Sequence, residues 1–516
     1  MEGSFQHQDT DPDWGRNGFF LMRLIDIVYS LWRRRRWVLP YLISGQFLKR
    51  ESTPVPDPTH VLFLIVDHFE PSYGNVYPKR QLERVEQWRT RYPETIQGFR
   101  DSEGKSPQYT WFYFGEEEGH LKNLSELCFM GLGEIELHIH HGPEDWIPYY
   151  WKKWTQDGFI DLIEKQKALF SKFGALITAE ESPQKIFGFI HGMFALDNSF
   201  WEDCGLKGEL DLLKDLGCYA DFTFPAPGTT QPPLINCHYF PQGDSRQGPS
   251  YFKGEVLKRG TLNKDKVLIF QGPLGYLRKG MHFSFEDGLL AEEQPITPER
   301  IHFWISRGIH VPGRPDWIFV KVYTHGTNEG NLEYLLGEGL SDLYSQLQNF
   351  CEASPSYQLH YVTAREAYNI AMAAASGADG DPGRFRDYLI PPYANRYISS
   401  DQPYQLESYT PGAWSLSLIR PGKTSLQVEG EPSINLKADF LVRVRMVQNE
   451  EGELTLQMEG KDQVEGRIGL SRPNCFRALP EVREGTLEVL DRNGGTEMVF
   501  KGFCSSQGRL QVVWNP

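Results

Sequence analysis

Titratable side chains in this sequence gather at the ends of apolar runs. Asp67 and His68 close one run in Leu64-Ile-Val-Asp-His-Phe-Glu-Pro71. His138, His140 and His141 close another in Glu136-Leu-His-Ile-His-His-Gly142. His191 ends Phe187-Gly-Phe-Ile-His-Gly192, His325 ends Val322-Tyr-Thr-His-Gly326, and Asp221 lies in the run Ala220–Phe224. Imidazoles and carboxylates brought together suit a divalent cation, and imidazole also passes protons near neutral pH. On a strand, His138 and His140 share one face about 6–7 Å apart along the backbone, while His141 points away. The pair can converge on one ion, with His141 at the rim or behind a ligand. Hydrogen-bonded core histidines show the same spacing, and it is the carboxylates nearby that favour a metal.

The other candidates read less sharply. Asp67 and His68 follow their apolar run too abruptly for a solvated face, so one can serve as base and the other as a third ligand. A carboxylate capping the next turn is the lesser reading of Asp67. Glu70, before Pro71, is expected to cap or to face substrate. His325 is placed to protonate a leaving group. His191 and Asp221 divide evenly between site and scaffold. Asp197 and Asn198 belong to a loop that either reaches substrate hydroxyls or forms an Asx turn.

These residues converge only if the runs are neighbouring strands. Apolar runs at His60–Asp67, Tyr109–Phe114, Glu134–His141, Lys185–His191, Ala220–Phe224, Val267–Gln271, Trp317–His325 and Leu359–Thr363 alternate with helical patterns. Phe159–Phe173 stops before Gly174, and Glu209–Leu216 stops before Gly217. Thr297-Pro298 opens a helix that Gly308 closes, and Thr363 with Glu366 forms a capping box. Continuous apolar strands between helices predict a parallel sheet covered by helices, here an irregular barrel of seven or eight β/α units. In such a barrel the strand ends meet at one rim, where active sites form. An open doubly wound sheet is the rival, without the glycine-rich phosphate loops that would support it.

The length of 516 residues asks for more than one domain. Residues 1–50 read as a basic amphipathic segment, with Phe20, Leu24, Ile27, Val28 and Leu31 on one helical face and Arg33 to Arg36 between two tryptophans. Arg23 and Asp26 interrupt it, so it is too short and too charged to span a bilayer, but it suits peripheral membrane contact. Packing on the main domain or on a partner is the favoured alternative. Pro54, Pro56 and Pro58 stiffen a linker at 51–59. The barrel takes 60–395. From 396 to 516, short alternating runs split by Gly, Pro and Asn-Gly predict an all-β, sandwich-like accessory domain.

Composition excludes some partners. With 53 basic against 68 acidic side chains the net charge is −15, which repels phosphate backbones and argues against nucleic acid. Seven cysteines in no paired spacing read as free thiols in a reducing, cytoplasmic setting, with membrane association through the basic segment as an addition. The first 18 residues are too polar and acidic to resemble a secretory leader.

Several runs carry a family resemblance. Asp67-His68, the Glu and His pattern of Glu134–His140, and the late His325 resemble polysaccharide deacetylases of the carbohydrate esterase type. His191-Gly-Met-Phe-Ala-Leu-Asp-Asn-Ser199, Gly217-Cys-Tyr-Ala-Asp-Phe-Thr223, Thr324-His-Gly326 and Leu359-His-Tyr-Val-Thr-Ala-Arg-Glu366 resemble a bacterial branch of that superfamily associated with exopolysaccharide production. The resemblance covers roughly residues 58–380. It implies an irregular barrel of the glycoside hydrolase and deacetylase type that removes acetyl groups with a divalent metal, zinc foremost and nickel, cobalt or iron as alternatives.

Carried over, Asp67 is the base, His68, His138 and His140 bind the metal, and His325 protonates the leaving group. His191, Asp197, Asn198, Asp221 and Glu70 are then expected around a carbohydrate substrate. The sequence departs from the family pattern where His68 replaces an acid, where the histidine pair is spaced i,i+2, and where an Arg-x-Pro-Tyr motif is missing. A degenerate barrel that binds polysaccharide or serves its assembly is the alternative. A glycosidase or phosphoesterase on the same scaffold is the second.

Overall fold

A computed structural model describes residues 36–43, 56–140, 155–178, 184–199, 206–226, 228–279 and 282–393, together with backbone strands between 404 and 514. The strand–helix alternation builds one large, mostly parallel sheet. Its strands are β1 (Thr59–Phe69), β2 (Tyr109–Tyr113), β3 (Gly133–Ile139), β4 (Lys185–His191), β5 (Cys218–Asp221), β6 (Leu268–Phe270), β7 (Trp317–Thr324) and β8 (Tyr357–Tyr361). Hydrogen bonding gives the order β7-β1-β2-β3-β4-β5-β6. All these pairs are parallel. β8 pairs with the first half of β1, through Thr59–Phe63, and β2 pairs with the second half. Beyond β6 the sheet continues antiparallel through His238–Pro241 and Gly254–Val256.

β1 shows why the strands are apolar throughout: all eleven residues are buried, because both faces of the strand are covered. Val61, Phe63 and Ile65 face one core with the flanking helices, whereas Leu62, Leu64 and Val66 face a second. The second core is the inside of a curled sheet. The Phe270 and Phe319 rings lie 5.6 Å apart across the gap between β6 and β7, and Lys321 Nζ donates to the Phe222 carbonyl at 2.5 Å. Gly272 permits this closeness, since a Cβ there would stand 2.3 Å from the Lys321 carbonyl oxygen. The result is barrel-like.

The outer helices include α1 (Pro78–Thr95), α2 (Glu118–Phe129), α3 (Gln156–Ser171), α4 (Glu209–Asp215), α5 (Pro298–Ser306) and α6 (Leu340–Glu352). The start signal at Thr297 is real, its hydroxyl accepting from Arg300 N–H. α1, α2 and α6 stand beyond the helices expected from capping signals. Neither α1 nor α2 has a side-chain N-cap bond, so tertiary packing carries them.

α7 (Ala364–Ala375) differs from the others. All twelve of its residues are buried, and its partners lie near the N-terminal ends of the strands. Ala364 N–H donates to Thr110 Oγ1, Arg365 meets Glu134 at 2.9 Å, and the Tyr368 and Tyr219 rings are 4.8 Å apart. The helix therefore seals the end of the barrel opposite the strand termini, and its alanines allow it to fit. The expected capping box at its start is present in full.

Residues 36–43 form a short helix whose Trp37 and Tyr41 are buried with Ile235 and Leu274. This part of the basic segment packs on the barrel domain, while residues 1–35 lie outside the described residues. No described helix is long and apolar enough to cross a membrane. The later strands form a six-stranded and a five-stranded sheet, with all pairs antiparallel.

Arg365 and Glu134 are both fully buried, so removing one strands the other's charge. Arg365→Met is expected to cost about 3–5 kcal/mol, measured as a fall in the urea midpoint at unchanged slope. A change below about 1 kcal/mol would show that the seal does not depend on this pair.

Candidate metal centre

Strand periodicity places the site. On β1, His68 shares the inner face with Leu62, Leu64 and Val66, and Glu70 follows two residues later. On β3, Glu134, Glu136 and His138 share that face, with His140 one step beyond the strand. Two i,i+2 pairs, His68-x-Glu70 and His138-x-His140, thus meet at the C-terminal rim with only β2 between them.

Glu70 Oε1 lies 2.9 Å from His138 Nε2 and 3.2 Å from His140 Nε2. The two Nε2 atoms are 3.1 Å apart. Donors bound to one ion at about 2.0–2.1 Å stand about 2.9–3.4 Å from one another, so these three atoms already hold that spacing. His138 Nδ1 lies 2.9 Å from the Ile190 carbonyl. A carbonyl only accepts, so Nδ1 carries the proton and Nε2 presents its lone pair to the carboxylate. Burial holds the His138 pKa down at about 4, although the nearby Glu70 carboxylate favours the charged ring. For Glu70, burial pushes the pKa up, but the nearness of the His140 and His138 rings prevails and leaves it well below the usual carboxylate range. A neutral imidazole nitrogen and an ionised carboxylate are both acceptors, and a cation between them resolves the contact.

His68 and His325 complete the cluster. Their rings stack at 4.6 Å and 28°, and the His68 ring is 4.9 Å from that of His138. His68, Glu70 and His325 offer donor atoms within 4.8 Å of one another, as do Glu70, His138 and His140. His68 is 2% exposed, and its Nε2 has no hydrogen-bond partner. Burial, then His325 and His138, keeps His68 well below the ordinary histidine pKa. Burial likewise lowers that of His325. An orphaned buried nitrogen beside a preset donor triad fits a metal ion, and the donor chemistry fits zinc or a similar borderline cation.

Aromatic rings wall the cluster. Phe114 lies 4.7 Å from His140, and Phe194 lies 5.1 Å from His68 and 6.4 Å from His325. Phe194 comes from a tight loop after β4 in which Met193, Phe194, Asp197 and Asn198 all have left-handed φ. Gly192 begins that loop, where a Cβ would lie 2.4 Å from the His140 ring. Only glycine fits there.

The remaining expected residues fall elsewhere. Asp67 alternates to the outer side of β1, where its oxygens accept from Tyr109 OH at 2.8 Å and Gly326 N–H at 2.7 Å. Burial raises its pKa to about 8. Asp67 therefore does not face the cluster as a base, and it clamps the chain just after His325. His191 also turns outward, with Nε2 3.2 Å from Glu209 Oε1. Asp221 accepts from the Thr223 hydroxyl and N–H. Asp197 accepts from Ser245 and from the Ser250 hydroxyl and N–H, so it braces a loop. Asn198 follows it in that loop, and His141 lies outside the described residues. Glu70, expected to cap or to face substrate, places a carboxylate oxygen within 4.8 Å of donor atoms from both histidine pairs. Its i,i+2 relation to His68 is the signal that marks it.

No family model matches this chain, and no curated protein matches it. Among solved structures, the catalytic module of a family 98 glycoside hydrolase from Streptococcus pneumoniae TIGR4 is similar at 8% identity and a TM-score of 0.17, over 93% of this chain and 87% of that one. A likeness of that size carries no argument about fold or activity.

The orphaned His68 nitrogen has a measurable consequence in chelator. His68→Phe keeps the ring and removes the unpaired polar atom, so stability at pH 7 is expected to rise by about 1–3 kcal/mol. The folded pKa of His68 lies below its unfolded value, so its contribution is complete above about pH 6.5 and is lost as the pH falls. The variant should accordingly lose less stability than wild type on acidification. Urea titrations across that range check both effects, and a destabilised variant at pH 7 contradicts them.

Proposed function

We propose that this protein is a metal-dependent hydrolase that removes acetyl groups from a polysaccharide or sugar intermediate, on an irregular β/α barrel of the deacetylase type. The observation that carries this reading is the triad of Glu70, His138 and His140, whose donor atoms lie 2.9–3.2 Å apart with the His138 tautomer set by Ile190. Its place at the C-terminal strand ends suits a catalytic site. The resemblance of the strand-end runs to polysaccharide deacetylases supplies the substrate class.

Glu70, His138 and His140 would hold the ion. When bound, it supplies Lewis-acid polarisation of an acetyl carbonyl. Glu70, ionised, offsets part of the cation's charge. Phe114 and Phe194 exclude bulk water from two sides and strengthen local electrostatics. His325, kept neutral by burial, takes the proton from the attacking water and returns it to the departing oxygen or nitrogen. Asp67 acts as a positioning residue through Gly326.

A binding role without turnover gains from one observation, the outward turn of Asp67, which leaves the cluster without the carboxylate base that the family resemblance implies. A glycosidase needs two facing carboxylates, and Asp67 and Asp221 have their oxygens engaged elsewhere.

Acetate release from acetylated oligosaccharides, with zinc or cobalt supplied, tests the proposal. Wild type should release acetate, and His138→Ala and Glu70→Gln should each lose about 100-fold or more, the upper end of what even an outer partner of a metal ligand costs. Stoichiometric metal with saturable sugar binding and no acetate would favour the binding role. Absence of bound metal would reject the centre itself.

A further inference from the structure

The cluster offers five candidate donors, more than the four of a tetrahedral zinc site. The five residues separate into two triads, His68/Glu70/His325 and Glu70/His138/His140, each compact within 4.8 Å and sharing only Glu70. We propose that this is a two-cation centre, with the Glu70 carboxylate as the bridge, His138 and His140 on one ion and His68 and His325 on the other. The inference rests on the metal reading above and adds a second site to it.

Three features support the division. Glu70 Oε1 is already spaced for the first ion, and a carboxylate has a second oxygen with which to bridge. The His68 and His325 rings stand 4.6 Å apart, and His68 Nε2 is buried without a partner. Cations about 3.5–4 Å apart are the usual spacing of two-metal hydrolytic sites, which a carboxylate bridge spans. In the two-ion form His68 and His325 would be ligands, so the proton-carrying role given to His325 above belongs to the single-ion form only.

The barrel offers an instructive contrast at its other end. His60 Nδ1 and His360 Nε2 are 2.8 Å apart, and His360 Nδ1 is 3.2 Å from Glu103. There the Arg386 guanidinium pairs with Glu103 and Asp101, so a resident cation already balances the acids. At the rim Glu70 instead has its ion-pair contacts with imidazoles, those of His138 and His140, among the described residues.

The test is metal stoichiometry on the full-length chain. Purified protein is stripped with chelator, titrated with zinc or cobalt alone, desalted and analysed by elemental mass spectrometry, with cobalt spectra recorded in parallel. Wild type should retain two ions per chain. His68→Ala and His325→Gln should each retain one, as should His140→Ala, and cobalt-loaded wild type should show the magnetic coupling of a bridged pair that the variants lack. One ion in wild type overturns the second site and leaves the single-ion reading standing. None in wild type removes both. Two ions that persist in His68→Ala and His325→Gln also overturn the proposal, because the second ion then lies elsewhere. The wild-type count and coupling decide the matter even where a variant fails to fold.

Discussion

The hydrogen bond between His138 Nδ1 and the Ile190 carbonyl is the hinge of this site. It fixes which imidazole nitrogen faces Glu70, and burial ensures that this nitrogen is a lone pair. Without that bond the ring is free to turn an N–H toward the carboxylate, and the contact becomes an ordinary buried hydrogen bond. The bond is available because β3 and β4 are neighbours in parallel register, with His138 opposite Ile190. Gly192 then lets the chain turn tightly against the His140 ring, and Phe194 returns over His68.

The inner face of β3 runs from scaffold to site within a few residues. Glu134 at the closed end is spent on Arg365 and Thr363. Glu136 in the middle accepts from Tyr219 OH, Tyr393 OH and Gly188 N–H, and burial still raises its pKa to about 8. His138 and His140 at the open end share Glu70. Polar side chains at successive inward positions are costly in a barrel, and each must be satisfied by a named partner. The first two find theirs inside the protein. At the rim, His68 Nε2 has none, and that asymmetry separates a structural polar network from one suited to an ion.

Sequence pattern made much of this legible. The eight apolar runs, the capping box at Thr363 and the start at Thr297 follow from local chemistry, and the structure carries each of them. The meeting of His68, His138, His140 and His325 followed from one premise, that parallel strand ends converge. Asp67 was harder to read because it is adjacent to His68. Neighbours on a strand face opposite ways, so only one of them can enter the cluster, and periodicity counted from Leu62 selects His68. His191 and Asp221 end strands of the same sheet, yet their parity turns them outward to Glu209 and Thr223.

Residue order by itself determined most of the strands and the alternation of facing along each, because these depend on spacing within a few residues. Tertiary structure alone decided that Glu70 is shared between two histidine pairs, that Arg365 seals the closed end against Glu134, and that Asp67 clamps Gly326. Each of those contacts joins segments dozens to hundreds of residues apart. Their partners are chosen by sheet order and curl, which no local spacing encodes.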